Sequence, residues 1–176
     1  MRMRPLSLTL TVAGVLLRLV PHPPNFTPVG ATALYGGARL KGWQAYVIPL
    51  LIMAVTDPLL GAIYGFAPFS RMTPIIYGCF LLSVLIGRTL RASESVPRIA
   101  AATFLGSLQF YIITNGMIWM RSTRLYAHTL DGLMACYVAA LPFFGRTLAG
   151  DFFYATALFG LHAWLSRKAF PAEVAA

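Results

Sequence analysis

Between residues 5 and 165 the chain is a succession of seven apolar runs separated by short polar or proline-bearing breaks. They cover residues 5–20, 29–40, 42–64, 72–90, 96–120, 125–144 and 147–165. A bilayer's hydrocarbon core is about 30 Å thick and is crossed by about 20 apolar residues in a helix. Backbone polar groups find no water there, so only helices or closed barrels cross it. Charged residues make up 11% of the chain and hydrophobic ones 58%, against roughly 25% charged in a soluble domain. Too few charges remain to cover a water-facing surface. The expectation is an all-α polytopic membrane helical bundle: one integral membrane domain over residues 1–176, with a disordered tail from residue 169.

The distribution of basic residues orients the runs. With Arg2 and Arg4 in the cytoplasm, the break carrying Arg39 and Lys41 also faces inward, as does that carrying Arg88, Arg91 and Arg98. If run 125–144 dips into the membrane and returns, Arg167 and Lys168 lie inside too. That places nine Lys/Arg inside and leaves Arg71, Arg121, Arg124 and Arg146 outside, with Arg18 near the outer end of the first helix. Seven full crossings leave eight inside. Positive-inside counting therefore favours about six transmembrane helices plus one re-entrant or partial segment, with both termini cytoplasmic. The second run is short and rich in Gly and Ala, which let helix backbones approach closely in lipid.

The formal net charge of +9 reads as helix-end cations meeting anionic headgroups rather than as a nucleic-acid surface. Cys79 and Cys136 lie in apolar stretches, outside any Cys/His cluster, and read as small buried hydrophobes. A cleavable signal peptide is not expected, because Arg18 and the prolines of residues 21–24 stand where a small-residue cleavage site would follow the first run. No HExxH, GxSxG or P-loop is present. No metal, cofactor or catalytic group is expected.

Polar groups inside apolar runs are costly and face protein, water or ligand. Asp57, just before Pro58, either contacts a ligand or an Arg, or sits at the outer interface. Asp151, after Gly150, reads as a carboxylate at the positive end of its own helix. The other candidates gather toward the predicted outer face: His22, Asn25, Phe26 and Thr27 between the first two runs, Asn115 and Trp119 late in the fifth, and Tyr126, His128 and Asp131 early in the sixth. Aromatic walls with a few hydrogen-bonding groups suit a small-molecule pocket, although the same aromatics also suit an interfacial belt. His128 and Asp131, at i, i+3 spacing, could share a helix face. They supply the alternative reading of an intramembrane enzyme or accessory subunit.

Several stretches are distinctive as sequence: residues 18–31 (RLVPHPPNFTPVGA), 33–37 (ALYGG, with Tyr35), 57–61 (DPLLG), 113–115 (ITN) and Tyr137 with 141–144 (LPFF). Together they resemble a family of uncharacterised bacterial membrane proteins. That family is in turn similar to the substrate-binding S components of energy-coupling-factor vitamin transporters. The resemblance implies a bundle in the bacterial inner membrane with an outward ligand cavity, residues 22–28 as a lid, and uptake of a vitamin- or cofactor-like molecule. It also implies a transmembrane coupling subunit with two ATPases as partner. The first helix lacks the small-residue docking pattern of S components; Ala33 and Gly37, four apart on the second, stand in its place.

Overall fold

The computed structural model describes residues 5–91, 93–121 and 124–169. Arg2, Arg4 and the tail from residue 170 lie outside them. Six α-helices and no strand occur among the described residues: α1 Pro5–Leu16, extended by a 3-10 turn at Leu17–Leu19, α2 Val29–Arg39, α3 Gln44–Tyr64, α4 Thr73–Arg88, α5 Val96–Arg121 and α6 Leu130–Lys168. Helices α3, α5 and α6 are long and apolar enough to cross a membrane, while α1 and α4 are shorter apolar helices. With the 3-10 turn at Leu17–Leu19 counted in α1, the first five runs match α1–α5 to within two residues at each end.

The sixth and seventh runs require a correction. They are one continuous helix of 39 residues, so the break placed at residues 145–146 does not exist, nor does a dip and return between them. Gly145, Arg146 and the exposed Pro142 were read as punctuation. Proline interrupts the backbone ladder only at the carbonyl four residues before it, and α6 continues through Pro142 as α3 does through Pro49 and Pro58. At 1.5 Å per residue α6 is about 58 Å long, roughly twice the hydrocarbon thickness.

Helix α2 is the opposite case. Its 11 residues reach only about 16 Å, yet every position from Ala31 to Leu40 is buried. It forms the axis of the bundle and packs against all five other helices. Its small residues make this possible. A Cβ on Gly37 would lie 2.2 Å from the Val84 carbonyl oxygen, and one on Gly87 would lie 2.1 Å from that of Leu34. Gly37 of α2 and Gly87 of α4 thus each receive the backbone of the other helix, at the close separation that only such residues permit. Ala33 is likewise core. The Ala33/Gly37 pair therefore faces the interior and is not a docking surface.

The outward faces are apolar. Along α3, Val47, Leu51, Val55, Leu59 and Ile63 recur every fourth residue and are 44–62% exposed. A contiguous apolar stripe of this kind on a water-soluble monomer would be exceptional.

Candidate ligand site

Because α2 begins only at Val29, space remains above its N-terminus between the ends of α1 and α3, the start of α4 and the facing stretches of α5 and α6. The loop between α1 and α2 partly fills it. Its course follows from its sequence: Pro24 and Asn25 occupy the middle of a turn closed by the Phe26 N–H on the Pro23 carbonyl at 3.0 Å. Asn25 has φ of 66°, the left-handed conformation that the third position of a type II turn requires and that Asn tolerates. The Phe26 ring then packs on Phe153 and Tyr154 of α6, each with centroids 5.7 Å away. Pro28 caps α2, with its carbonyl taking the Thr32 N–H at 2.9 Å and the Thr32 hydroxyl at 2.8 Å.

Asp151 fastens the start of α2. It is buried, and its carboxylate accepts the Ala31 N–H at 3.1 Å and the Ser107 hydroxyl at 2.6 Å. Gly30 makes room, since a Cβ there would stand 2.4 Å from the carboxylate. The expectation that Asp151 meets the positive end of a helix dipole is correct in kind but assigned to the wrong helix. It lies in the middle of α6 and serves α2.

Three cavities open around this loop. The largest, about 610 Å³, is lined by Arg18, His22, Thr27, Asp57, Tyr77 and apolar side chains including Met53, Leu60, Phe66 and Phe80. A second, about 160 Å³, lies between Asn25, Thr27, Ser83, Phe110 and Asp151. A third, about 210 Å³, runs along α5 and α6 past Asn25, Tyr111, Asn115 and Phe144. Thr27 borders the first and second, and Asn25 the second and third.

The polar side of the large cavity is one connected cluster. Arg18 Nη1 lies 2.7 Å from Asp57 Oδ1 and donates to Thr56 Oγ1 at 3.1 Å. The Tyr77 hydroxyl donates to Asp57 Oδ2. Asp57 therefore has the Arg partner that its place in an apolar run called for.

The remaining candidates are scattered. Tyr35 is fully buried, with its hydroxyl 2.7 Å from His162 Nδ1 and its ring edge-on to Phe159; it borders none of the three cavities. The Asn115 amide donates to the Tyr111 carbonyl at 2.8 Å. Half-buried Trp119 and exposed His128 latch the α5–α6 connection: the indole N–H donates to the Ala127 carbonyl at 2.9 Å, and His128 Nε2 donates to the Trp119 carbonyl at 2.8 Å. Tyr126 lies half-buried in that connection.

His128 precedes Thr129, the N-cap of α6, whereas Asp131 sits exposed in its first turn. The two do not share a helix face, because the helix begins between them. No group of three His, Cys, Asp or Glu able to hold a metal occurs among the described residues.

Arg18, Tyr77 and Ser107 were not read as site residues. Arg18 carried a usable signal, since a cation ending one apolar run and an acid inside another satisfy each other. Tyr77 and Ser107 gave none, because a single hydroxyl in an apolar helix has many possible partners.

Comparison with curated proteins and with solved structures gives no match. One family model matches, described as a family of unknown function (DUF6580), over residues 2–173. The chain belongs to that family, and the bundle, its buried short helix and the cavities over it are the structure of this member.

Proposed function

We propose that this is an integral protein of the bacterial inner membrane that binds a small organic molecule in the cavity beside the α1–α2 loop and passes it inward, in the manner of an energy-coupling-factor S component. The observation that carries the reading is the 610 Å³ cavity whose lining combines the Arg18–Asp57–Tyr77 cluster with aromatic and aliphatic groups. Its volume is in the range of small-molecule sites, which combine apolar walls with a few placed polar groups. The apolar outward stripe of α3 supports contact with lipid.

Six helices in alternation would return the chain to the side on which it began. That supports a cytoplasmic position for both termini, with Arg39, Lys41, Arg88, Arg91 and Arg98 at the inner interface. Binding needs no catalysis, and inward movement would need a coupling subunit with two ATPases. The interior position of Ala33 and Gly37 means that such a subunit would dock elsewhere on the bundle.

The test is purification in mild detergent followed by native mass spectrometry, with thermal-shift screening of vitamins and cofactor precursors. A copurifying small molecule, or a saturable rise in melting temperature that Asp57→Ala abolishes, is the expected result. An empty protein indifferent to the whole panel would overturn the reading.

A further inference from the structure

The polar groups of the large cavity are unbalanced, and the imbalance specifies a ligand charge. A guanidinium carries five N–H donors. Arg18 spends Nη1 on Asp57 and Thr56, while Nη2 and Nε have no partner among the described residues. Both oxygens of Asp57 are already engaged, Oδ1 by Arg18 and Oδ2 by Tyr77, whereas a whole edge of the guanidinium is not. It is also the one carboxylate among the residues lining the cavity.

The surroundings lean the same way. Arg71 follows Ser70 of the cavity wall, and Arg121 donates to the Arg71 carbonyl at 2.6 Å. Both are exposed, so two further cations follow directly on the cavity wall, whose lining holds no carboxylate besides Asp57. Beside the polar cluster, α3 and α4 line the cavity with Met53, Leu60, Ile76 and Phe80, which offer no side-chain hydrogen bond and fit a flat apolar body.

We infer that the cavity takes an amphipathic organic anion: an apolar ring system bearing a carboxylate, whose oxygens lie on the unused Nη2/Nε edge of Arg18 while its ring lies on the Phe80 side. The inference rests on the ligand-binding reading above and adds the charge class of the ligand. Arg presents a two-pronged donor edge that matches a carboxylate, whereas Lys offers a point charge without that geometry.

The test uses three molecules of one shape and three charges: benzoate, benzamide and benzylammonium. Binding to the full chain in lipid nanodiscs is measured by saturation-transfer NMR, with titration to saturation. Benzoate is expected to bind about tenfold more tightly than benzamide, the value of a charge-assisted pair, and benzylammonium more weakly than either. Arg18→Lys, which keeps a cation beside Asp57, is expected to remove that preference. In the wild-type protein, photolabelling with 4-azidobenzoate is expected to mark peptides from residues 53–80, a readout that does not depend on the variant folding. If benzamide or benzylammonium binds as tightly as benzoate, the charge class is wrong while the binding site stands. A benzoate preference that survives Arg18→Lys, or labelling confined to other peptides, overturns the inference. Absence of saturable binding by all three overturns it together with the reading of the cavity as a ligand site.

Discussion

The two halves of the bundle solve the same problem in opposite ways. Around α2 the chain spends its small residues on close approach and its few buried polar groups on one another. Tyr35 meets His162, Asp151 meets the first turn of α2, and Arg39 donates to the Leu90 and Ser93 carbonyls at 3.3 and 2.8 Å while lying 5.1 Å from the Phe159 ring centroid. An acid at the N-terminus of α2 and cations at its C-terminus also complement its dipole. Beyond the N-terminus of α2 the packing opens, the polar cluster has spare donors, and a proline-rich loop stands where a helix would otherwise run. Rigidity is concentrated in one half and vacancy in the other, as a scaffold that presents a pocket requires.

That contrast can be broken by substitution. Gly37→Ala is expected to have the largest effect, about 3 kcal/mol of lost stability, because the new methyl meets the backbone of α4 rather than a movable side chain. The measure is the midpoint of unfolding in a detergent titration. Asp151→Ala comes next, at about 2 kcal/mol, since it strands the Ala31 N–H and the Ser107 hydroxyl in a buried site. Tyr77→Phe, in the open half, is expected to cost about 1 kcal/mol, the worth of a single hydrogen bond, and to weaken ligand binding as Asp57 loses its second partner. His128→Ala should cost less than about 0.5 kcal/mol, as exposed substitutions do, with ligand binding unchanged. If Tyr77→Phe destabilised the protein as much as Gly37→Ala, the division between a rigid and an open half would fail.

Much of this arrangement was legible in the sequence. The first five helices, the first counted through its 3-10 turn, could be read from hydropathy to within two residues at each end, because an apolar run bounded by proline, glycine or charge has few alternatives. The break after the first helix was also readable, since the prolines at 21, 23 and 24 cannot continue a regular helix. What failed was the reading of interruptions. Gly145 and Arg146 resemble a boundary, yet nothing in their local preferences forbids a helix, and α6 passes through them. Asp151 and the pair His128/Asp131 failed for a different reason. Position along the chain says which residues are near one another in sequence, but not whether a carboxylate serves its own helix or one that crosses it 120 residues away. The site was half legible: His22, Thr27 and Asp57 do line the large cavity, whereas Tyr35 lies in the core and Trp119 and His128 tie down a connection.

The brevity of α2 also bears on how such a protein is made. A segment of 11 residues with four in the sequence Tyr-Gly-Gly-Ala near its end has neither the length nor the apolar surface to leave a translocation channel for lipid by itself, since insertion depends on the summed transfer free energy of a span-length helix. It would have to enter as cargo between its neighbours, sheltered by α1 before it and α3 after it. Biogenesis would then pass through a stage at which α2 is delivered but unpacked, and completion would wait for α4, whose Gly87 and Val84 close against it. Chains interrupted during synthesis before residue 88 should be the ones that quality-control proteases recognise, and chains released after it the ones they spare.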